Sequence, residues 1–360
     1  MKKLAIFLPN LKVGGAERVI TTLANYFANQ PGMQVDIVLL EGAGDLIHEL
    51  DKRVTVTDLG LKKMKQECFG LFKLQKYLRK EKPNSLLCVM WPLTIVGFLA
   101  KLLSFSKTNL IFSDHTTFSK SPWMQNKFKY LIFRLSVFLV YPFANYRLNV
   151  SDQASRDLEK LGWLKKNSIT TIYNPVKIYP GEITNKKRDT VNIITVGSLK
   201  WAKNHELLLD AMELVIKKMP SSRLLIVGEG DRKTILQQRV ADLGLDNHVV
   251  FCGQKNRQEL ESLYLSADLM VLSSHYEGFA MVILEAINYG VPVVSVDCDH
   301  GPREILADGE YGLLVPNHNA AKLAEGILAQ CNKTHDVQKL RSRASDFSVD
   351  VIGMKYMQVL

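Results

Sequence analysis

Cysteine is scarce in this chain of 360 residues, and its five copies follow no pattern. They are Cys68, Cys88, Cys252, Cys298 and Cys331, and no two of them form a CxxC pair. An odd and scattered set of this kind argues against a disulfide framework and against a cysteine-ligated zinc site. It favours a reducing compartment, so we expect a cytoplasmic protein.

Uninterrupted apolar runs long enough to cross a membrane are also lacking. The run LLCVMWPLTIVGFLAKLLSF, residues 86–105, has the necessary length, but Pro92 breaks it and Lys101 lies inside it. We interpret it as a strand followed by a helix. The run YLIFRLSVFLVYPF, residues 130–143, contains Arg134 and is too short, which indicates a buried or interfacial helix. The sequence therefore predicts no spanning helix.

Acidic residues are scarce in the first half of the chain. Residues 1–180 carry a net charge of +13, and residues 181–360 carry one of −3. A basic N-terminal half predicts an anionic partner, such as nucleic acid, anionic lipid headgroups or a pyrophosphate-bearing acceptor. Within it, residues 61–83 interleave Lys and Arg with Phe and Leu. This pattern is typical of helices that attach to anionic membranes, and equally of core helices with a solvated charged face.

Short apolar runs alternate with helical patterns along the whole chain. The strand-like runs are LAIFL, VDIVLL, VTVTDL, LLCVMW, NLIFS, RLNVS, VNIITV, RLLIVG, VVFCG, DLMVLS and PVVSV. This alternation predicts an α/β fold with parallel sheets covered by helices on both faces. Two such series meet at residues 172–190, where two prolines, a glycine and a basic run without periodicity indicate a linker. The sequence thus predicts two Rossmann-like domains with ligands at the carboxyl ends of the strands.

Glu277 and Glu285 enclose the run GFAMVIL, and the second lies about two turns into a helix expected to begin near Phe279. The pattern resembles the Glu-x7-Glu signature of retaining glycosyltransferases with the GT-B fold, a large bacterial family of mannosyl-, glucosyl- and N-acetylhexosaminyltransferases. Other matching motifs follow in the family's order. They are VGGAERV at 13–19, SDHTTF at 113–118, VGSLKWAKNHELLLDAM at 196–212, LLIVGEGDR at 224–232, GVPVVSVD at 290–297 and GPREILADGEYGLLVP at 301–316.

The resemblance implies a GT-B architecture with a cleft between two domains. It implies an acceptor-binding domain at residues 1–172, joined by a C-terminal helix at about 346–360. A linker at 173–190 and a nucleotide-sugar-binding domain at 191–345 complete the chain. The implied activity is that of a hexosyltransferase that retains the anomeric configuration. The nucleotide sugar is a substrate, so no cofactor is expected.

His115, Lys203 and Glu277 are the candidate catalytic residues. In the family a lysine at the place of Lys203 contacts the donor diphosphate, where a cation neutralises charge on the leaving group. The histidine at the place of His115 faces the transferred sugar, and Asp114 is expected to hold its ring. A plainer interpretation exists for both residues: Lys203 can be a solvated lysine, and His115 can be a structural histidine. Glu277 adjoins a glycine in a turn whose loop atoms can meet a phosphate.

The candidate donor-binding residues lie in loops that follow strands. Glycines let the backbone approach a ligand at a helix N-terminus, although a plain strand-to-helix turn explains Gly14 and Gly15 equally well. Glu285 can accept hydrogen bonds from ribose hydroxyls. The family often has an arginine where Ser198 stands, and Lys200 is a candidate substitute. The other candidates are Gln254, Gly278, Phe279, Ala280 and Met281.

Metal and nicotinamide sites are not expected. Asp297 and Asp299 form an Asp-x-Asp triplet, which binds manganese in the other major glycosyltransferase fold. Here the triplet follows a strand and lacks that fold's context, so we interpret it as a polar loop and expect no obligatory metal. The run GEGDR at 228–232 lacks the third glycine of a dinucleotide-binding motif.

Together these features predict a retaining glycosyltransferase at the inner face of the cytoplasmic membrane, held peripherally by an anionic lipid surface. It would transfer a hexose or N-acetylhexosamine from a UDP-sugar to a glycan hydroxyl on a lipid-linked or cell-surface polysaccharide precursor, such as one of lipopolysaccharide. The alternatives are a GDP-mannose-dependent mannosyltransferase and, within the fold, an epimerase or a phosphorylase. A basic nucleic-acid-binding protein is an alternative of another class, but no helix-turn-helix or stacking platform supports it.

Overall fold

The computed structural model of the protein describes residues 1–12, 14–61, 67–183 and 190–360, with the backbone alone for residues 67–69 and 122–123. Part of the predicted amphipathic stretch therefore lies outside the described residues. The chain divides into two compact units. The first comprises residues 1–175 together with 349–360, and the second comprises residues 176–348.

The first unit is built on a parallel sheet of seven strands in the order β3-β2-β1-β4-β5-β6-β7. The strands are β1 (Lys2–Leu8), β2 (Met33–Leu39), β3 (Val54–Asp58), β4 (Ser85–Val89), β5 (Asn109–Asp114), β6 (Tyr146–Asn149) and β7 (Thr170–Thr171). Helices connect them, as parallel pairing requires. These are α1 (Gly15–Ala28), α2 (Glu67–Glu81), α3 (Leu93–Ser104), α4 (Lys127–Val140) and α5 (Asp152–Leu161).

The second unit repeats this plan with six parallel strands in the order β10-β9-β8-β11-β12-β13. The strands are β8 (Val191–Val196), β9 (Ser222–Val227), β10 (Val249–Gly253), β11 (Leu269–Leu272), β12 (Val293–Val296) and β13 (Leu313–Val315). The helices are α6 (His205–Lys218), α7 (Lys233–Asp242), α8 (Arg257–Ser266), α9 (Met281–Asn288), α10 (Pro302–Ile305), α11 (Ala320–Cys331) and α12 (Val337–Ser345). The predicted α/β architecture of two Rossmann-like halves is confirmed, and all eleven apolar runs form strands.

The closing helix, α13 (Val349–Met357), follows the second unit in the chain but belongs to the first. It packs on α1, where the Tyr356 and Phe27 rings lie 6.2 Å apart. A Cβ on Gly353 would lie 2.3 Å from a ring carbon of Tyr26, so only glycine permits this close approach. The first unit therefore takes part of its core from a distant stretch of sequence.

The predicted linker at 173–190 is not a separate connection in its described part. From Val176 onward it belongs to the second unit. The backbone N–H of Val176 donates to the carbonyl of Phe347 at 2.8 Å, and the rings of Tyr179 and Tyr289 lie 5.1 Å apart. Among the helices of the described residues, none combines the length and apolar composition that a bilayer crossing requires.

Candidate functional site

The strand order of the second sheet reverses between β8 and β11. In an open parallel sheet, ligands bind outside the carboxyl ends of the strands at such a reversal. The loops that leave these two strands are joined by hydrogen bonds. The N–H of His275 donates to the carbonyl of Ala202 at 2.9 Å, and the Ser273 hydroxyl donates to the carbonyl of Lys203 at 3.0 Å. The fold thus brings together the loops that carry Lys203 and Glu277.

Lys203 and Glu277, both predicted to be catalytic, form an ion pair with each other. The Lys203 Nζ donates to Glu277 Oε1 at 2.7 Å and to Oε2 at 2.8 Å. The Ser274 hydroxyl adds a hydrogen bond to Oε1 at 2.6 Å. The Glu277 side chain is 8% exposed and that of Lys203 is 24% exposed. The carboxylate is therefore enclosed, while the lysine side chain is partly exposed.

Close backbone contacts fix the loop that carries Lys203. Gly228 has a φ of +140°, and a Cβ there would lie 2.0 Å from the carbonyl oxygen of Gly197. Only glycine tolerates both the conformation and the contact. Gly197 in turn lies beneath the alkyl stem of Lys203, because a Cβ on it would lie 3.4 Å from the lysine Cε. The loop after β9 thus packs on the loop after β8, and Gly197 of that loop contacts the alkyl stem of Lys203.

The helix that carries Glu285 begins later than predicted. It starts at Met281 rather than near Phe279, because Ala280 adopts a left-handed conformation with φ 61° and ψ 54°. Glu285 therefore lies in the second turn of α9, not two full turns along. The buried Tyr264 hydroxyl donates to Glu285 Oε2 at 2.9 Å. Burial, reinforced by this carboxylate, raises the pKa of Tyr264 far above its usual value, so the hydroxyl remains a donor.

The four residues after Glu277 differ in what they can offer a ligand. Gly278 and Met281 are partly exposed, whereas Phe279 and Ala280 are buried. A Cβ on Gly301, at φ +100°, would lie 2.5 Å from the Phe279 carbonyl. The Phe279 and Ala280 side chains are therefore packed inside the protein, and the Phe279 backbone lies against Gly301.

Two other predicted donor residues lie at the same edge of the sheet and are exposed. Ser198 follows β8, and its carbonyl accepts a hydrogen bond from the N–H of Lys200 at 2.8 Å. Gln254 follows β10, which is the outer strand, two positions from β8. Strand order thus separates Gln254 from the Lys203–Glu277 pair by the width of β9. Such a spread suits an elongated ligand.

The Asp-x-Asp triplet makes other contacts. Asp297 forms an ion pair with Arg303, which also binds Asp308 at 3.0 Å. The carbonyl of Asp299 accepts a hydrogen bond from the N–H of Glu277 at 3.1 Å. In the part of the chain that the structure describes, no three His, Cys, Asp or Glu side chains group as a metal site. Metal independence stays a prediction.

In the first unit, His115 follows β5 and is partly exposed. Its Nε2 lies 3.2 Å from the Ser113 hydroxyl, and the buried Tyr356 side chain of α13 lies near the same serine. Burial lowers the pKa of His115 to about 4, although Asn174 opposes the shift. The imidazole is therefore neutral near pH 7, and the Ser113 hydroxyl orients it.

Asp114 does not hold the histidine ring, contrary to the expectation. Its carboxylate accepts hydrogen bonds from the Tyr141 hydroxyl at 2.7 Å and from the N–H of Trp91 at 3.1 Å. The side chain is fully buried. Burial raises the pKa of Asp114 to about 6. Its role is to fix the loop after β4.

Gly14 and Gly15 lie at the N-terminus of α1, as predicted, but a carboxylate of the chain already lies there. A Cβ on Gly14 would lie 2.2 Å from Glu17 Oε2, so the Glu17 side chain folds back over the glycine. Burial raises the pKa of Glu17. Helix N-termini stabilise negative charge, which explains this position.

Several residues of the site escape sequence reasoning. The rings of Trp201 and His275 stack at 4.2 Å, and His318 stacks on His275 at 5.1 Å. Trp201 and His275 lie two residues from Lys203 and Glu277, which is the one signal that could have indicated them. Tyr264 and Tyr356 give no such signal, since each is a single tyrosine in an amphipathic helix.

Family comparisons divide the chain as the fold does. Residues 13–178 match the model of glycosyltransferase family 4, and residues 182–346 match that of the glycosyl transferases group 1. The two matches together span nearly the whole chain.

Individual relatives match over most or all of their length. The chain is 25% identical over 370 residues to the amylovoran biosynthesis glycosyltransferase AmsD of Erwinia amylovora, covering 100% of both proteins. It is 27% identical over 338 residues to the N-acetylgalactosamine-N,N'-diacetylbacillosaminyl-diphospho-undecaprenol 4-alpha-N-acetylgalactosaminyltransferase of Campylobacter jejuni, covering 91% of the chain and 89% of that protein. The crystal structure of Anabaena HepE in complex with UDP-glucose superposes with a TM-score of 0.81 at 21% identity, over 99% of both chains. This last likeness establishes the fold.

Proposed function

Because the chain is a GT-B glycosyltransferase, built from a family 4 domain followed by a group 1 domain, we propose that it transfers a sugar from a UDP-sugar with retention of configuration. The donor sugar is a hexose or an N-acetylhexosamine. The acceptor is a hydroxyl of a glycan on a lipid-linked or cell-surface polysaccharide precursor. The Campylobacter and Erwinia relatives, named for an undecaprenol-linked glycan and for amylovoran, support this acceptor class.

The Lys203–Glu277 pair is the observation that carries the proposal. A lysine held at the reversal of strand order, with a partly exposed side chain, suits the oxygens of a diphosphate. Negative charge grows on the diphosphate as the bond to the sugar breaks, and a fixed cation stabilises that charge most in the transition state. Glu277 holds the ammonium in place until the donor arrives.

The second glutamate has the chemistry to hold the other end of the nucleotide. A carboxylate accepts two hydrogen bonds, which matches the paired hydroxyls of a ribose. Tyr264 bonds to one oxygen of Glu285 and so sets the direction of the carboxylate. Lys203 and Glu285 thus provide contacts for the two ends of one nucleoside diphosphate.

Retention requires that the new bond form on the face that the leaving group vacates. In the proposed step, the acceptor hydroxyl oxygen bonds to the anomeric carbon as the bond between that carbon and the diphosphate oxygen breaks. The hydroxyl proton passes to the departing diphosphate. A neutral His115 can position the sugar by a hydrogen bond without competing for that proton, because its pKa lies near 4.

Donor choice can be tested by thermal stabilisation. UDP-sugars are expected to raise the unfolding midpoint more than GDP- or ADP-sugars, and a ligand at one hundred times its Kd contributes about 2.7 kcal/mol. A preference for GDP-mannose would favour the mannosyltransferase alternative instead. Stereochemistry can be tested by the slow hydrolysis of the donor in water. NMR should detect the α-anomer first if configuration is retained, whereas early β-anomer would contradict retention.

A further inference from the structure

Helix α4 exposes an apolar face to solvent, which is unusual for a helix that covers a sheet. Its Phe133, Val137 and Val140 face the core. Six apolar side chains on the other side are exposed, and we call them the α4 stripe. They are Phe128, Leu131, Ile132, Leu135, Phe138 and Leu139. Phe128 is 72% exposed and Leu139 is 60% exposed.

The spacing of the α4 stripe defines one continuous surface. Counted from Phe128, its members stand at i, i+3, i+4, i+7, i+10 and i+11, which places them on one side of a helix. The stripe continues beyond the helix, because the exposed Phe143 stacks on Phe98 of α3 at 5.3 Å. Leu102 and Phe105, at the end of α3, are exposed as well. An apolar patch of this extent marks an interaction surface.

Cations border the α4 stripe, and acids are absent from it. No Asp or Glu occurs between Asp114 and Asp152, whereas Lys127 and Lys129 are exposed at the start of α4. At the other side, Trp163 is half exposed and its ring contacts Phe138 edge-on at 6.1 Å. The Arg134 guanidinium lies 3.7 Å from the Trp163 ring centroid. Tryptophan and arginine around an apolar surface are typical of the boundary between lipid headgroups and acyl chains.

The basic helix α2 belongs to the same layer. Its Arg79 donates to the carbonyl of Leu103, at the end of α3, at 2.9 Å, and Gln75 donates to the same carbonyl at 3.2 Å. Lys76 and Lys80 of α2 are exposed. The layer α2-α3-α4 therefore presents positive charge on one side and apolar side chains on the other.

We propose that the α4 stripe inserts into the interfacial region of an anionic bilayer, with α4 parallel to the membrane plane. The cations around it favour an anionic lipid surface over a second copy of this chain, which would bring like charges together. The proposal rests on the proposed function only in that a lipid-linked acceptor lies at such a surface. The sequence analysis placed the basic membrane contact at residues 61–83 and left residues 130–143 open as a buried or interfacial helix. The exposed α4 stripe favours the interfacial interpretation.

The test is co-sedimentation with vesicles of phosphatidylethanolamine and phosphatidylglycerol, compared with phosphatidylcholine. The triple variant Leu131→Ser, Leu135→Ser, Leu139→Ser is expected to lower partitioning onto anionic vesicles at least tenfold. A matched control replaces three exposed apolar residues of the second unit, Leu214→Ser, Ile235→Ser and Leu265→Ser, and should partition as the original protein does. Equal partitioning of both variants and the original protein would overturn the proposal.

Further measurements separate insertion from the competing explanations. Insertion leaves part of the binding intact at high salt, whereas complete release by salt would mean that charge alone holds the protein. Lipids brominated in the acyl chain should quench Trp163 fluorescence, with the quenching reduced in Trp163→Phe; unchanged quenching in that variant would contradict the placement. A different set of results would mean that a second copy of the chain covers the stripe. Light scattering would then show a dimer for the original protein and a monomer for the triple variant, and neither protein would bind vesicles.

The donor assay runs in parallel and reports on the proposed function. Thermal stabilisation by UDP-sugars should be the same in the triple variant, because the donor candidates Lys203 and Glu285 lie in the other unit. Loss of vesicle binding with donor stabilisation intact supports the proposal. A protein that inserts into vesicles but responds to no nucleotide sugar would refute the proposed function and leave the membrane surface standing.

Discussion

Replacing Lys203 by methionine tests the ion pair at the centre of the proposed mechanism. Methionine keeps most of the alkyl stem that lies over Gly197 but removes the ammonium that bonds to both oxygens of Glu277. The enclosed carboxylate keeps the hydroxyl of Ser274 but loses its cation. Breaking a buried ion pair costs about 3–5 kcal/mol. We expect about 3 kcal/mol, the low end, because a quarter of the Lys203 side chain already reaches solvent.

Calorimetry and kinetics together separate the two consequences of this change. In a unit of this size, about 1 kcal/mol corresponds to roughly 2–4 °C, so the unfolding midpoint of the second unit should fall by about 6–12 °C. Turnover should fall by a factor of about ten or more, because the cation acts on charge that develops in the transition state. The assay must be run well below the lowered midpoint so that unfolding does not imitate a loss of catalysis.

The double variant Lys203→Met, Glu277→Gln is the control. Glutamine keeps the shape of the glutamate and can still accept the Ser274 hydrogen bond, but no unpaired charge is left inside the protein. Most of the lost stability should return while turnover stays low. Recovery of turnover would refute the reasoning, because the pair would then be a structural contact. Normal turnover in Lys203→Met alone would direct attention to Lys200, which the double replacement of both lysines would test.

Three further expectations concern the donor, the metal and the histidine. Glu285→Gln should raise the donor Kd by about 10- to 150-fold in calorimetric titration, which is equivalent to about 1.5–3 kcal/mol. Tyr264→Phe should raise the Kd less. An unchanged Kd in a folded Glu285→Gln protein would remove that residue from the site. Activity should survive EDTA, and a loss restored by manganese would make the Asp-x-Asp triplet a metal site. Ser113→Ala should lower kcat with the donor Kd unchanged, because it removes the hydroxyl that lies 3.2 Å from His115 Nε2. Parallel losses in both would indicate a general structural defect. The His115 ring should show no NMR titration near pH 6.5. Since its folded pKa is about 4, the unfolded chain binds the extra proton below about pH 6.5, and the free energy of unfolding should fall as the pH falls toward 4.

The strands are the most predictable part of the fold, because parallel strands buried on both faces form continuous apolar runs. The two strands without a prediction, Thr170–Thr171 and Leu313–Val315, are short and lie at sheet edges. An edge strand pairs on one side only and can be short, so it leaves a weak signal in the sequence. The late start of helix α9 also leaves no signal in the sequence. The left-handed backbone of Ala280 interrupts an otherwise uniform apolar pattern, and nothing in that pattern marks the position.

The candidate site is predictable in its residues but not in their pairing. Motifs indicate Lys203 and Glu277 separately, yet the two are 74 positions apart and meet only because β8 neighbours β11. Motif position likewise does not indicate a side chain's partners: Asp114 stands beside His115 in the sequence, but its carboxylate bonds to Tyr141 and Trp91. The carboxylate of Glu17 over Gly14 depends on one side-chain conformation. The ion pair follows from tertiary packing, and the Glu17 contact follows from a side-chain conformation; motif patterns encode neither.

The position of α13 has a consequence for how the protein is made. Residues 349–360 leave the ribosome only after the whole of residues 176–348 has emerged, yet they complete the unit that was synthesised first. Until then, Phe27 and Ser113 lack Tyr356, and the groove along α1 that accepts Gly353 lies open. The later unit can therefore finish folding before the earlier one. The nascent chain must carry an unfinished N-terminal core throughout that interval, when exposed apolar surface makes aggregation most damaging.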